Sequence, residues 1–138
     1  SGPFLDRIDL TIEVPAVTAA DLCLSAPAEG SEEVRSRVIE TRGRQTRHLD
    51  DIEGARARTN AELSGTLLDR VASPDSEGLA LLGQAADTLS LSARGIHRTL
   101  RVARKLADLE ASPNVARHHI AEALGYHAER LGSERQAA

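Results

Sequence analysis

The stretch LSARGIHRTLRVARKLADL, residues 91–109, decides the fold class and raises a chemical question. At about 100° per residue, Ile96, Leu100, Ala103 and Ala107 fall on one stripe, the spacing of a helix that faces a core. Arg94, Arg98, Arg101 and Lys105 fall on a second stripe, nearly opposite the first. Ser92 stands where an N-cap belongs, which puts Arg94 in the first turn. A helix N-terminus is effectively positive, so a cation there loses roughly 0.3–1 kcal/mol. The like-charged i, i+4 pair Arg94/Arg98 loses about 0.2–0.5 kcal/mol more. Either a solvated face tolerates this cost, or an anion sits at the helix start in the working state.

Outward from this helix, composition points the same way. Aromatic residues make up only 1% of the 138-residue chain, in Phe4 and Tyr126, so the core must be aliphatic, which suits helix-on-helix packing. The length fits one domain with a single modest core. The lone Cys23 cannot form an intramolecular disulfide, which argues against a disulfide-stapled secreted scaffold. No apolar run approaches the ~18 residues that span a bilayer. The amino terminus SGPFLDR lacks the basic and apolar regions of a secretory signal, so a cytoplasmic location is expected. The formal net charge of -4 gives no global attraction to nucleic acid; any such role needs a local basic patch.

Along the chain, FLDRIDLTIEV (4–14) differs from everything after it. Ile8, Leu10, Ile12 and Val14 alternate with Asp9, Thr11 and Glu13, a period-two pattern that predicts a strand ended by Pro15. No second strand of this quality follows, so its pairing partner is expected outside the sequence. Residues 16–30 read as a linker punctuated by Pro27 and Gly30. Ser31, Glu32 and Glu33 mark a helix start, and the pattern predicts a helix over 32–48 with a thin apolar face of Val34, Val38 and Ile39. The charged stretch 49–60, with Gly54 inside it, is expected to be the most mobile internal part. Leu63, Leu67, Leu68 and Val71 predict a helix over 63–72, stopped by Ser73-Pro74. Asp75 or Ser76 caps the next, with Leu79, Leu82, Ala86 and Leu89 inward. The opening helix runs to about residue 111, and a last one begins near Val115 with Ile120, Ala123 and Leu124, then Tyr126 and Leu131, ending in a frayed tail. Short connections between these helices predict a small bundle.

Several chemistries are missing. His118 and His119 are adjacent, so on a helix they diverge by about 100° and do not make the i, i+4 pair a metal favours. Surface or capping roles are expected for the histidines, and no metal site. His97 lies beside the basic stripe and is expected to stay a neutral surface group. The chain contains no G-x-S-x-G nucleophile frame and no G-x-x-x-x-G-K-[ST] phosphate loop, and Cys23 has no evident base. With two aromatics, a stacking platform for single strands is not expected either. Two arginine features remain: Arg94 with the stripe behind it, and Arg7, flanked by Asp6 and Asp9, which could simply neutralise it.

Four blocks carry a resemblance: SGPFLDRIDLTIEVP, ARTNAELSG, LSARGIHRTLRVARKLADLE and HHIAEALGYH. In this order, and over nearly the whole chain, they resemble the carboxy-terminal part of the magnesium-chelatase-like AAA+ ATPases, in particular the competence protein ComM subfamily. The sequence departs from the family pattern at Gly95-Ile96 and at Gly125-Tyr126-His127.

The resemblance implies a mainly α-helical lid bundle over 31–138. A remnant of the ATPase core spans 1–15, with one orphan strand, and a linker spans 16–30. It implies that Arg7 is an arginine finger reaching the nucleotide of a neighbouring subunit in trans. Arg94 would be the sensor 2 arginine contacting ATP in its own subunit, with Arg98 a second candidate. The triphosphate would then explain an arginine in the first turn of the helix. ATP with Mg is implied as cofactor of the full-length protein, with none held tightly by this part and no hydrolysis by it alone. The implied partners are the missing AAA+ core of the same chain, neighbouring subunits of a hexameric ring and DNA, with no membrane; the implied work is DNA remodelling or branch migration. Two other readings stay open. One is a free-standing DNA-binding bundle that uses Arg94, Arg98, Arg101 and Lys105 against phosphates. The other is a partner-binding adaptor whose segment 40–60 orders on contact.

Overall fold

The computed structural model of the chain describes residues 8–12, 14–24 and 29–136, with side chains as far as Tyr126 apart from Leu22. Five helices follow one another: α1 (Ser31–Asp50), α2 (Gly65–Val71), α3 (Ser76–Leu89), α4 (Ala93–Leu109) and α5 (Arg117–Gln136). Short 3-10 turns occupy Asp21–Cys23 and Asn60–Glu62. The architecture is a small helical bundle, and no sheet forms among the described residues. Ile8 to Ile12 and Val14 are not a strand here, because a strand is defined by ladder bonds to a second one. The sole β-type contact among the described residues is an isolated parallel bridge between Pro74 and Val115.

Helix α4 is the axis of the bundle: α1, α2, α5 and the Asn60–Glu62 turn all pack on it, while α3 packs on α5. The core is aliphatic as composition requires, with Leu63, Leu68, Leu82, Leu100, Ala103, Ala107, Val115, Ile120 and Ala123 buried together. Ser92 caps α4, its Oγ accepting the Gly95 N–H at 3.1 Å. Asp75 caps α3 in the same way, accepting the Gly78 N–H at 2.7 Å. Helix α1 starts from Gly30, whose N–H is taken by the Glu33 carboxylate at 2.9 Å.

Three expected faces turn out differently. On α3, Leu79 is 61% exposed while Gly78 is buried. A Cβ at Gly78 would stand 3.0 Å from Pro74 Cβ and 3.3 Å from Ile120 Cγ1, so the missing side chain is what lets α3 approach α5. On α1, Val34, Val38 and Ile39 are exposed; the face that meets α4 is Thr41, Gln45 and Leu49, spaced i, i+4, i+8. The contact is largely polar, which an apolar pattern cannot reveal.

The third concerns the basic stripe of α4. Arg98 is only 4% exposed and donates Nη1–H to the Ile8 carbonyl at 3.1 Å, while half-buried Arg101 donates Nε–H to the Leu63 carbonyl at 2.8 Å. Arg94 and Lys105 alone of the four remain exposed. The stripe is covered because α1, the Asn60–Glu62 turn and residues 8–12 lie over that side of α4.

Candidate functional site

The start of α4 carries Arg94, one of the sequence-predicted site residues. Ser92 satisfies the Gly95 N–H, which leaves the N–H groups of Ala93 and Arg94 pointing off the helix end without an intrahelical acceptor. No acidic residue lies in this first turn to neutralise it. Arg94 is exposed and makes no hydrogen bond or ion pair among the described residues. An exposed, unpaired guanidinium and unbonded backbone N–H groups thus share the first turn of α4, the kinds of group that recognise phosphates and carboxylates.

One turn on, Arg98 is held differently. Its guanidinium is buried and grips the Ile8 carbonyl, so it ties the segment that follows Arg7 to the helix that carries Arg94. Arg7 itself lies outside the described residues. His97 is partly buried and Cys23 exposed; neither joins a cluster of reactive groups among the described residues.

At the far end of α4 stands a buried polar hub that the amphipathic pattern did not single out. Arg104, 1% exposed, donates to Asp108 Oδ1 through Nε at 3.1 Å and Nη2 at 2.8 Å. It also donates to the carbonyls of Ser112 at 2.7 Å and Pro113 at 2.9 Å. Asp108 accepts from Asn60 Nδ2 at 2.6 Å, and His48 Nε2 lies 3.3 Å from its Oδ1. Arg44 Nη1 reaches the Asp108 carbonyl at 3.0 Å. These contacts hold α1, the 59–62 turn and the 110–115 loop in place on α4. The opposite charges at i, i+4 in Arg104 and Asp108 were the one signal of it in the sequence.

His118 and His119 do converge, although their Cβ directions diverge. Their rings stand 3.9 Å apart, and their Nε2 atoms lie 2.9 and 3.0 Å from the same Glu110 oxygen, Oε2. Two imidazoles in the first turn of α5 are long enough to curl toward one carboxylate beyond the end of α4. These hydrogen bonds, that of His118 first, hold the Glu110 carboxyl below the usual range. The three ligand atoms lie within 4.8 Å of one another, which invites a metal reading. The tautomer of His119 argues against it. Nδ1 of His119 accepts the Ala116 N–H at 2.9 Å, so its Nε2 carries the proton and donates to Glu110. A metal at Nε2 would need the proton on Nδ1 and would break that cap. His119 is thus a capping histidine.

Comparisons with known proteins agree with this architecture. Residues 28–127 match the sequence model of the family described as magnesium chelatase, subunit ChlI C-terminal. Competence protein ComM of Haemophilus influenzae is 38% identical over 130 residues, covering 93% of this chain and 24% of that protein. The uncharacterized protein YifB of Escherichia coli is 35% identical over 129 residues, again covering 93% of this chain and 24% of the relative. An uncharacterized protein of Mycobacterium bovis, Mb2921c, is 38% identical over 126 residues, 91% of this chain and 24% of its own length. The chain therefore spans about a quarter of the length of these relatives. Among the described residues, no helix is long and apolar enough to cross a membrane.

Proposed function

We propose, since the chain belongs to the magnesium chelatase ChlI C-terminal family, that it is the helical lid of an AAA+ ATPase and closes on nucleotide through Arg94. The observation that carries this reading is the start of α4: an exposed, unpaired guanidinium beside free N–H groups, with no acidic neighbour in the turn. A polyphosphate is the ligand that turns this unfavourable placement into a favourable one. It accepts from both the guanidinium and the helix end, and its charge outweighs a dipole penalty of under about 1 kcal/mol.

ATP with Mg, held by core segments of the full-length protein, would supply the phosphoryl group for transfer. This chain's own part is to orient the nucleotide and exclude water. Arg94 would clamp the phosphates from the lid side, and the capped first turn would fix the direction of its guanidinium. Arg98 couples the lid to the preceding segment through the Ile8 carbonyl, so closure of the lid would move residues 8–12 with it. Arg7, at the head of that segment, would reach the nucleotide of the next subunit in a ring, where trans-acting arginines contribute about 10³–10⁵ in rate. Competence protein ComM of H. influenzae carries competence in its name, and DNA remodelling in the cytoplasm is the work we infer for the assembled protein. A free-standing DNA interface along the whole stripe is less well supported, because Arg98 and Arg101 are engaged inside the protein.

The test is ATP hydrolysis by the full-length protein, wild type against Arg94→Ala at equal folded concentration. Loss of a charged phosphate contact should lower the rate by about tenfold or more. Unchanged hydrolysis would return Arg94 to a solvated surface role.

A further inference from the structure

Further along the covered side of α4, a pocket of about 130 Å³ opens between that helix, α1, the Asn60–Glu62 turn and residues 9–10. It is several times larger than the ~10–15 Å³ that one water needs. Three cations line it, Arg42 from α1 and Arg101 and Lys105 from α4, together with Gln45 and Asp9. We propose that Arg42, Gln45, Arg101 and Lys105 form a phosphate-binding pocket, separate from the helix start at Arg94, which takes a phosphoryl group of a phosphodiester strand or of a free polyphosphate.

Gln45 is the observation that points to a ligand. It is 1% exposed, yet its side chain makes a single long contact, accepting from Arg42 Nη1 at 3.4 Å. Its amide Nε2–H₂ has no acceptor among the described residues, although buried donors are almost always satisfied. An oxyanion in the pocket would be that acceptor. Lys105 is exposed and without a partner among the described residues, and Arg101 spends only its Nε on the Leu63 carbonyl. The guanidinium forks of Arg42 and Arg101 and the ammonium of Lys105 are the groups that recognise phosphate oxygens. Asp9 at the rim forms no ion pair with any of them, so three positive charges face the pocket against one carboxylate. At about 1.5 Å per residue, Arg101 and Lys105 lie roughly 10–16 Å along α4 from Arg94. About three helical turns separate Arg94 from Lys105, so the pocket is distinct from the helix start. The inference stands on this geometry alone and does not depend on the nucleotide reading.

Pyrophosphate titrated into the 138-residue chain, followed by the side-chain amide resonances of Gln45, tests it. Saturable shifts at Gln45 are expected. The surface variants Arg42→Gln and Lys105→Gln should each weaken pyrophosphate about tenfold. Asp9→Asn should tighten it by removing a like charge. Unchanged melting temperatures would certify that each variant is folded. A 12-nucleotide oligothymidylate separates the two sources. Binding that shifts Gln45 and is lost in both cation variants assigns the pocket to a strand; pyrophosphate binding that the oligomer cannot displace assigns it to a free polyphosphate. Shifts that never saturate and spread over all surface cations would overturn the proposal. So would an affinity that ignores both Arg42→Gln and Lys105→Gln.

Discussion

Asp108 ties α4 to α1 and to the Asn60–Glu62 turn. Its carboxylate takes two donors from Arg104 and one from Asn60, while its carbonyl takes Arg44. Replacing it with Asn keeps the shape but strands the Arg104 charge in the interior. Breaking a buried pair in this way costs about 3–5 kcal/mol. Urea denaturation of Asp108→Asn should show an unfolding free energy lowered by that order, and a value within error of wild type would deny the hub its structural role. Glu110 makes a smaller, pH-dependent contribution. Its folded pKa lies below the ordinary 4.5, so the stability it supplies is full above that value and disappears as pH falls through the depressed folded pKa. Glu110→Gln should therefore be slightly less stable than wild type at pH 7, and the gap should close on acidification below pH 4.5. The gap is small because Glu110 is half exposed and water screens it. Thermal melts of both proteins across that range would show it; a gap that widens in acid would contradict the assignment. Of the residues that complete these arrangements, Ser112 and Ala116 carried no signal in the sequence, and Asn60 stood only inside a family block. A backbone carbonyl or a single amide becomes a ligand only when folding brings a charge beside it.

Among the elements, α4 was legible from end to end, because a Ser cap and a four-residue apolar stripe are local properties. Its other side read as a continuous basic stripe open to solvent or to an anion, whereas Arg98 and Arg101 are engaged inside the protein. A helix buried on two sides looks amphipathic when one of those sides is polar and paired, as Arg98, Arg104 and Asp108 are here. Helix α1 was found but turned the wrong way, since its contacts run through Thr41 and Gln45 and not through its few aliphatics. The helix ends hold a different surprise. After α4 the Ser112 N–H closes on the Ala107 carbonyl at 2.8 Å and the Ala111 N–H on the Asp108 carbonyl at 3.3 Å. This terminating loop puts Ala111 at φ 59, a left-handed conformation that suits glycine. Ala111→Gly should relieve the Cβ strain and raise stability by about 1 kcal/mol, less the entropy glycine adds to the unfolded chain. A rise in melting temperature checks it, and a fall would mean that unfolded entropy outweighs the strain.

For the molecule as a whole, order should follow contact with α4. Leu49 and Asn60 are buried and anchor the segment between them, so local opening belongs to its exposed interior, 50–56. Hydrogen exchange should be faster there than in α4; equal protection would refute this. Class and order of elements followed from the sequence by itself: few aromatics, aliphatic residues at helical spacing, caps at Ser92 and Asp75, and motif blocks that mark the family. Those features are legible because helix periodicity, capping and motif order are written in neighbouring residues. The tertiary structure alone decided which polar faces are covered. It withdrew Arg98 and Arg101 from the solvated stripe, and it brought Arg42 and Gln45 of α1 beside Lys105 of α4. The physical reason is that burial of a charged or amide group depends on a partner tens of residues away, and no local pattern records where that partner will stand.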